Sequence, residues 1–266
     1  MALAELIGCF RVGDYLFAEY LGRCGENTVN RFLKASVTLL WCAGLLFGAN
    51  GIVIADGMQP ETTVVVLNEE DGEATINIKN TDPGPALLYS VIENIPEDQE
   101  PLLIVTPPIT RVEAGETQLV RFISTAGAPL KTQRLKRVSF EGIPQARTPG
   151  GATIGITLRQ NLPLILHPKG LAKHQAPWEL LKWKRQGSRL TVHNDSAYVV
   201  RLALELQLLP EKRLATLPRS YVLPGEVLAV DTQGSLAGVT AVVLQPATVY
   251  GFSVDSYKAD VTDHGI

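Results

Sequence analysis

Residues 154–166 read Ile-Gly-Ile-Thr-Leu-Arg-Gln-Asn-Leu-Pro-Leu-Ile-Leu, and the fold turns on how this stretch is interpreted. Large apolar side chains fall at 154, 156 and 158, and again at 162, 164 and 166. A period of two places all six on one face of an extended strand, with Gly155, Thr157 and Arg159 pointing the other way. Pro163 lacks a backbone donor, which suits a sheet edge or a break in the ladder. Periodicity alone leaves two readings open. In one, the apolar row fills the core of its own sandwich. In the other, an edge strand offers that row to a second protein, a form of β-augmentation.

The chain on either side is built of short alternating pieces between turns. Residues 62–67 are a β-branched run, 68–72 a turn cluster, and 74–78 alternate again, so the flanking pieces read as a hairpin. Further strands are expected over 86–95, 102–105, 109–112, 117–124 and 136–140. At His167-Pro168-Lys169-Gly170 the composition shifts, and this run reads as a hinge. Beyond it, strands are expected over 179–182, 189–192, 198–209 (one long alternating strand), 220–222, 227–230, 239–244 and 247–254. No stretch sustains a helical period with capping signals. The expectation is an all-β chain: a leader over 1–57, a first sandwich domain over 58–167 and a second over 168–266.

The leader has its own logic. Arg31 and Lys34 precede an uncharged run, 35–55, that ends in Val53-Ile54-Ala55 before Asp56, the layout of a secretory signal peptide. An uncleaved membrane anchor is the alternative, although Gly44, Gly48, Asn50 and Gly51 dilute the run. Asp14, Glu19 and Glu26 are foreign to a signal peptide and fit a translation start further along, near Val29. All three cysteines (Cys9, Cys24, Cys42) fall in this leader. The mature chain therefore has no disulfide and must rely on apolar burial. A formal charge of −3 supplies no basic field for nucleic acid. His167, His174, His193 and His264 have no metal-ligand spacing, and no nucleophile elbow, phosphate loop or dinucleotide fingerprint is present. No enzyme, metal or cofactor is expected.

Three segments carry a family resemblance. Val105-Thr106-Pro107-Pro108-Ile109-Thr110-Arg111-Val112-Glu113-Ala114-Gly115-Glu116-Thr117-Gln118-Leu119-Val120-Arg121-Phe122 is the most specific. Phe140-Glu141-Gly142-Ile143-Pro144 is the second, and the strand ending Leu164-Ile165-Leu166-His167-Pro168 is the third. In order and spacing they resemble the periplasmic pilus-assembly chaperones of the PapD-like family, and the turn at Asn194-Asp195-Ser196-Ala197-Tyr198 is similar to one in that family's second domain. The resemblance implies two immunoglobulin-like sandwiches set at an angle with a cleft between them, and a cis peptide at Thr106-Pro107. It implies pilus subunits and an outer-membrane usher as partners, with no stable membrane insertion after leader cleavage. It also implies a strand whose donor side chains, here Ile154, Ile156 and Leu158, complete a subunit's open groove. Residues 142–151 would be mobile until a subunit binds.

The family holds the subunit's terminal carboxylate with an Arg and a Lys, but Val64 and Pro163 stand at those positions here. Arg159 and Lys169 are the candidate replacements, Arg159 because strand alternation puts it on the face of Pro163. The interdomain ion pair of the family is also replaced, with Gln133 and His167 at two of its positions. These departures point to the divergent branch that serves colonisation-factor and common pili. The rival reading is a secreted pilus subunit or adhesin of sandwich fold. Such a protein would have one pilin domain, often with a disulfide.

Overall fold

The computed structural model describes residues 57–145, 157–248 and 254–263. The first domain contains β1 (Met58–Pro60), β2 (Val65–Asn68), β3 (Glu73–Asn80), β4 (Ala86–Glu93), β5 (Leu103–Thr106), β6 (Ile109–Val112), β7 (Thr117–Ser124), β8 (Arg134–Pro144) and β9 (Arg159–His167). They form a four-stranded sheet, β1-β3-β7-β5, and a five-stranded sheet, β2-β9-β8-β4-β6. Alternation decides which side chains meet between the sheets. Leu162, Leu164 and Leu166 of β9, Val138 and Phe140 of β8 and Leu88 of β4 pack against Ile76, Ile78, Val120 and Phe122 of the facing sheet. Each such burial stabilises the domain by roughly 1.5–3 kcal/mol.

The 154–166 stretch is paired differently along its length, and residues 154–156 lie outside the described residues. Strand β9 pairs antiparallel with β8 from Arg159 to Leu166, but its parallel partner β2 begins only at Leu164. From Leu164 onward β9 is central and its leucines are core. From Arg159 to Pro163 it is an edge, and Pro163 is the last residue before the second neighbour begins. The expected hairpin between the first two β pieces does not form. Strand β2 joins β9, and β3 pairs instead with β1 and β7. Val65 and Leu67 face the domain core while Val64 and Val66 face away into a second apolar cluster. A strand covered on both faces reads as a continuous apolar run, which carries no information about its partner.

In the second domain a 3-10 turn (Pro177–Leu180) precedes β10 (Lys182–Gln186), β11 (Arg189–Asn194), β12 (Val200–Leu202), β13 (Glu205–Leu209), β14 (Arg213–Thr216), β15 (Tyr221–Val222), β16 (Glu226–Thr232), β17 (Ala241–Leu244), β18 (Pro246–Ala247) and β19 (Tyr257–Asp263). A closed barrel, β10-β11-β16-β14-β13-β17-β19, encloses Trp183, Leu190, Val192, Leu206, Leu208 and Val242 beside a small sheet, β15-β12-β18. The strand expected at 179–182 is mostly the 3-10 turn, which Pro177 opens. The long strand expected over 198–209 is two strands, because the chain changes partners at Ala203: β12 pairs with β15 and β18, β13 with β14 and β17. The expected 247–254 strand survives only as β18, with 249–253 outside the described residues. Strand β19, not anticipated, closes the barrel between β17 and β10. No helix among the described residues is long and apolar enough to cross a membrane.

Among the described residues of the first domain, the charge of Lys136 is fully buried. Lys136, on the inward face of β8, pairs with Asp98 Oδ1 at 2.9 Å and donates to the Asp98 carbonyl at 2.7 Å. Arg134 binds the same carboxylate at 2.6 Å. Burial would raise the Asp98 pKa, but the hydrogen bonds from Arg134 and Lys136 outweigh it and hold the carboxyl below its usual range. Asp98→Ala strands the Lys136 charge and should cost about 3–5 kcal/mol in urea unfolding. The folded-state pKa is depressed, so the wild-type contribution is present above about pH 4, the ordinary carboxylate value, and fades as pH falls through the folded value. The variant should lack this part of the acid dependence.

Candidate functional site

The outward face of the five-stranded sheet changes character along its length. At its base lies an apolar cluster of Val64, Ile95, Leu135 and Ile165 from the first domain with Val199 from the second, flanked by Val66, Tyr221 and Leu223. Gln133 joins the two domains here. Its Nε2 donates to His167 Nδ1 at 2.9 Å, and its Oε1 accepts the buried Val199 N–H at 2.8 Å. The Gln133 N–H donates to the Ala197 carbonyl at 2.8 Å, and His167 Nε2 donates to the Leu171 carbonyl at 2.9 Å. A neutral imidazole with its proton on Nε2 satisfies every member of this set. The positions at which the family has an ion pair thus form an uncharged hydrogen-bonded link. A charged network lies at the rim. The Tyr221 hydroxyl donates to Glu97 at 2.8 Å, Arg219 pairs with Glu97 at 2.7 Å and with Glu226, and the Arg219 guanidinium sits 4.8 Å over the Tyr221 ring. Burial and the adjacent Glu97 push the Tyr221 hydroxyl up to about 12.

Further out the same face is polar. Arg159 pairs with Glu93 at 2.6 Å and donates to Ser139 at 2.9 Å. Arg137 donates to the Asn161 side chain and to its carbonyl at 2.7 Å, and Asn161 donates back to Glu93 at 3.0 Å. Beyond this network the face becomes apolar and exposed. Leu87 stands opposite Ile143, and Tyr89 opposite Ile109. Leu158, just before β9, is 48% exposed beside the unpaired edge.

The site residues expected from sequence fall differently. Ile154 and Ile156 lie outside the described residues, and Leu158 is exposed at the open end of the strand. Arg159 is on the cleft face with Asn161 and Pro163, its guanidinium engaged by Glu93 and Ser139. Lys169 is exposed past the end of β9, its backbone N–H donating to Glu69 at 2.8 Å. Val64 and Pro163 are both buried, Val64 within the interdomain cluster, so neither position presents a cation. Two cations of the face were missed. Arg137 stands opposite Pro163 in the β8–β9 register, and alternation along β8 could have found it. Arg201, in the middle of β12, has no such signal, since its direction depends on where the second domain docks.

Two β domains are joined through a buried hydrogen-bonded link, and from Arg159 to Pro163 one edge of β9 has no β neighbour among the described residues. The sequence matches the PapD N-terminal domain of pili and flagellar-assembly chaperones over residues 57–172 and the C-terminal domain of PapD, a pili assembly chaperone, over 176–258. The chain belongs to this family of pilus-assembly chaperones. It is 40% identical over 209 residues to the uncharacterized fimbrial chaperone YhcA of Escherichia coli (strain K12), covering 78% of this chain and 92% of that protein. It is 32% identical over 181 residues to YbgP, an uncharacterized fimbrial chaperone of the same strain, covering 65% and 72%. The SafB chaperone of Salmonella enterica, solved in complex with the SafA pilin, shares the fold: TM-score 0.63 at 20% identity, covering 78% of this chain and 98% of that one. The Thr106-Pro107 peptide is cis, as the resemblance implied.

Gln133→Ala would leave the buried Val199 N–H and the His167 Nδ1 without these partners. Each loss is worth about 1–3 kcal/mol. Unfolding followed by calorimetry should show the single transition broaden or split as the two domains come apart.

Proposed function

We propose that this chaperone works in the periplasm, where it captures a pilus subunit by lending it a strand and then delivers it to an outer-membrane usher. The observation that carries the reading is the one-sided pairing of β9. Between Arg159 and Pro163 its outer edge has no β neighbour among the described residues, and Leu158 stands exposed where the edge begins. In sequence the apolar row continues backward from Leu158 to Ile156 and Ile154. A subunit lacking one strand can pair its backbone with this edge and take the three apolar side chains into its own core. Each of them, fully buried, would contribute roughly 1.5–3 kcal/mol to the complex. The exposed side chains Leu87, Tyr89, Ile109 and Ile143 extend the apolar surface on the neighbouring strands. Residues 1–57 act as the export leader in this reading, and sequencing the amino terminus of protein recovered from a periplasmic extract tests that part.

Ile156→Asp puts an unpaired charge into the subunit groove at a cost of several kcal/mol. The variant chaperone should itself fold normally while its co-produced subunit is degraded or aggregates. Leu158→Asp should do the same and Thr157→Ser should not. An unchanged subunit yield with Ile156→Asp and Leu158→Asp would count against donation by this strand.

A further inference from the structure

We infer that the joint between the two domains is an acid-sensitive latch, closed by a neutral His167 and opened when that ring takes a second proton. The hydrogen bonds that run through it have backbone groups at both ends, and these fix their direction. At one end the buried Val199 N–H can only donate, so it requires the Gln133 Oε1, 2.8 Å away. That leaves the Gln133 Nε2 turned towards His167 Nδ1 at 2.9 Å. At the other end the Leu171 carbonyl can only accept, and it takes the His167 Nε2 proton at 2.9 Å. His167 Nδ1 must therefore present its lone pair. A proton added there would face the N–H of Gln133. Turning the amide over would relieve the ring but set an NH2 group against the Val199 N–H. Either orientation leaves one buried donor facing another, so the joint accepts only the neutral ring.

His167 is 8% exposed, and both of its ring nitrogens are bound to uncharged groups, so an imidazolium would have no carboxylate partner among the described residues. The ionisable groups on the surrounding elements are engaged elsewhere or exposed. Glu69 follows Asn68, the register partner of His167 on β2, and its carboxylate accepts the N–H groups of Leu130 and Lys169. On β8, Arg134 is held by Asp98 and Glu100, and Lys136 by Asp98. After β9, Lys169 and Lys173 are exposed, and the His174 ring lies 5.5 Å from that of Tyr198, whose hydroxyl donates to the Ala172 carbonyl. On the second domain Asp195 pairs with Lys182, and at the rim Arg219 pairs with Glu97 and Glu226. An opened joint exposes an ordinary imidazole, which takes a proton near pH 6.5. The closed joint has no place for that proton. Proton binding therefore favours the open joint, and closure weakens as the pH falls below that value. The apolar cluster around Val199 does not titrate, so opening loosens the joint without unfolding either core.

The test follows amide hydrogen exchange at Val199 by NMR in the full mature protein, from about pH 8 to about pH 5. Rates are corrected for the intrinsic pH dependence of exchange, and the imidazole nitrogen spectra are recorded beside them. Protection at Val199 should fall about tenfold for each pH unit below about 6.5. Phe122 and Val192, inside the two cores, should keep theirs. At neutral pH the His167 ring should have its proton on Nε2. His167→Asn cannot titrate in this range and should abolish the pH dependence whatever its baseline protection. Gln133→Glu supplies a carboxylate that can accept from both Val199 and an imidazolium, so its protection should no longer be lost in acid. His174→Asn and His193→Asn should keep the wild-type profile. A flat wild-type profile or a proton on Nδ1 at neutral pH would overturn the latch. So would a wild-type pH dependence in Gln133→Glu, or one that disappears in His174→Asn or His193→Asn and persists in His167→Asn. Protection lost equally at Phe122 and Val192 would mean that acid unfolds the domains, and would overturn it too.

Discussion

Among the described residues, strand β9 has β neighbours on both sides from Leu164 to Leu166 and on one side only from Arg159 to Pro163. The rest of the molecule depends on that asymmetry. The doubly paired end is held by Leu164 and Leu166 in the first core, while Ile165 and His167, on the opposite face, enter the joint with the second domain. One short strand thus fixes both the sandwich and the place where the next domain docks. The singly paired end is left open, and an open edge invites self-association. Arg159 and Pro163 on the open segment, with Asn161 between them, are residue types that discourage a second copy from pairing there.

The joint shows how a domain interface can be made specific without buried charge. Burying an ion pair carries a desolvation penalty that its attraction must offset. Gln133 avoids that penalty: its amide donates to His167 on one side and accepts from Val199 on the other, so both ends of one neutral group are satisfied across the interface. Charged groups are kept to the rim, where Glu97, Arg219 and Glu226 remain within reach of solvent. The apolar cluster between Val64, Leu135, Ile165 and Val199 supplies the area, and the amide supplies the register.

Much of the first domain could be read from the sequence, because its strands alternate cleanly. Residues 109–112 and 117–124 were delimited as they occur, and β9 disclosed its inward row. What failed was pairing. An apolar run such as 62–67 fits either sheet, and only the crossing of the chain between Pro60 and Val65 sends it to β9. Alternation continued through 198–209 although the chain changes partners at Ala203, since a period of two survives a change of sheet. Strand β19 was missed because Lys258, Asp260 and Asp263 give it a polar look, and Ala259 is its one buried residue. The charges of the cleft face were the least legible part. Arg159 was noticed by its place on the key strand, whereas Arg201 acquires meaning only once another domain packs above it.

Two cations withdrawn from water in this chain have opposite surroundings, and the contrast bears on what each is for. Lys136 is wholly enclosed and has a carboxylate and a carbonyl within hydrogen-bond distance, so its charge is compensated by the fold itself. Arg201 is less deeply placed, yet its buried Nη1 has no hydrogen-bond partner among the described residues, and burial, with the like charge of Arg137 adding to it, depresses its guanidinium. Folding alone would favour a neutral side chain at that position, because an unpaired charge detracts from stability and contributes no packing that a methionine could not. Local rules of this kind are broken in native proteins chiefly at the sites they use. The fold neutralises Lys136 from within and leaves the Arg201 Nη1 without a hydrogen-bond partner among the described residues, so the two positions are held to different standards of polar satisfaction.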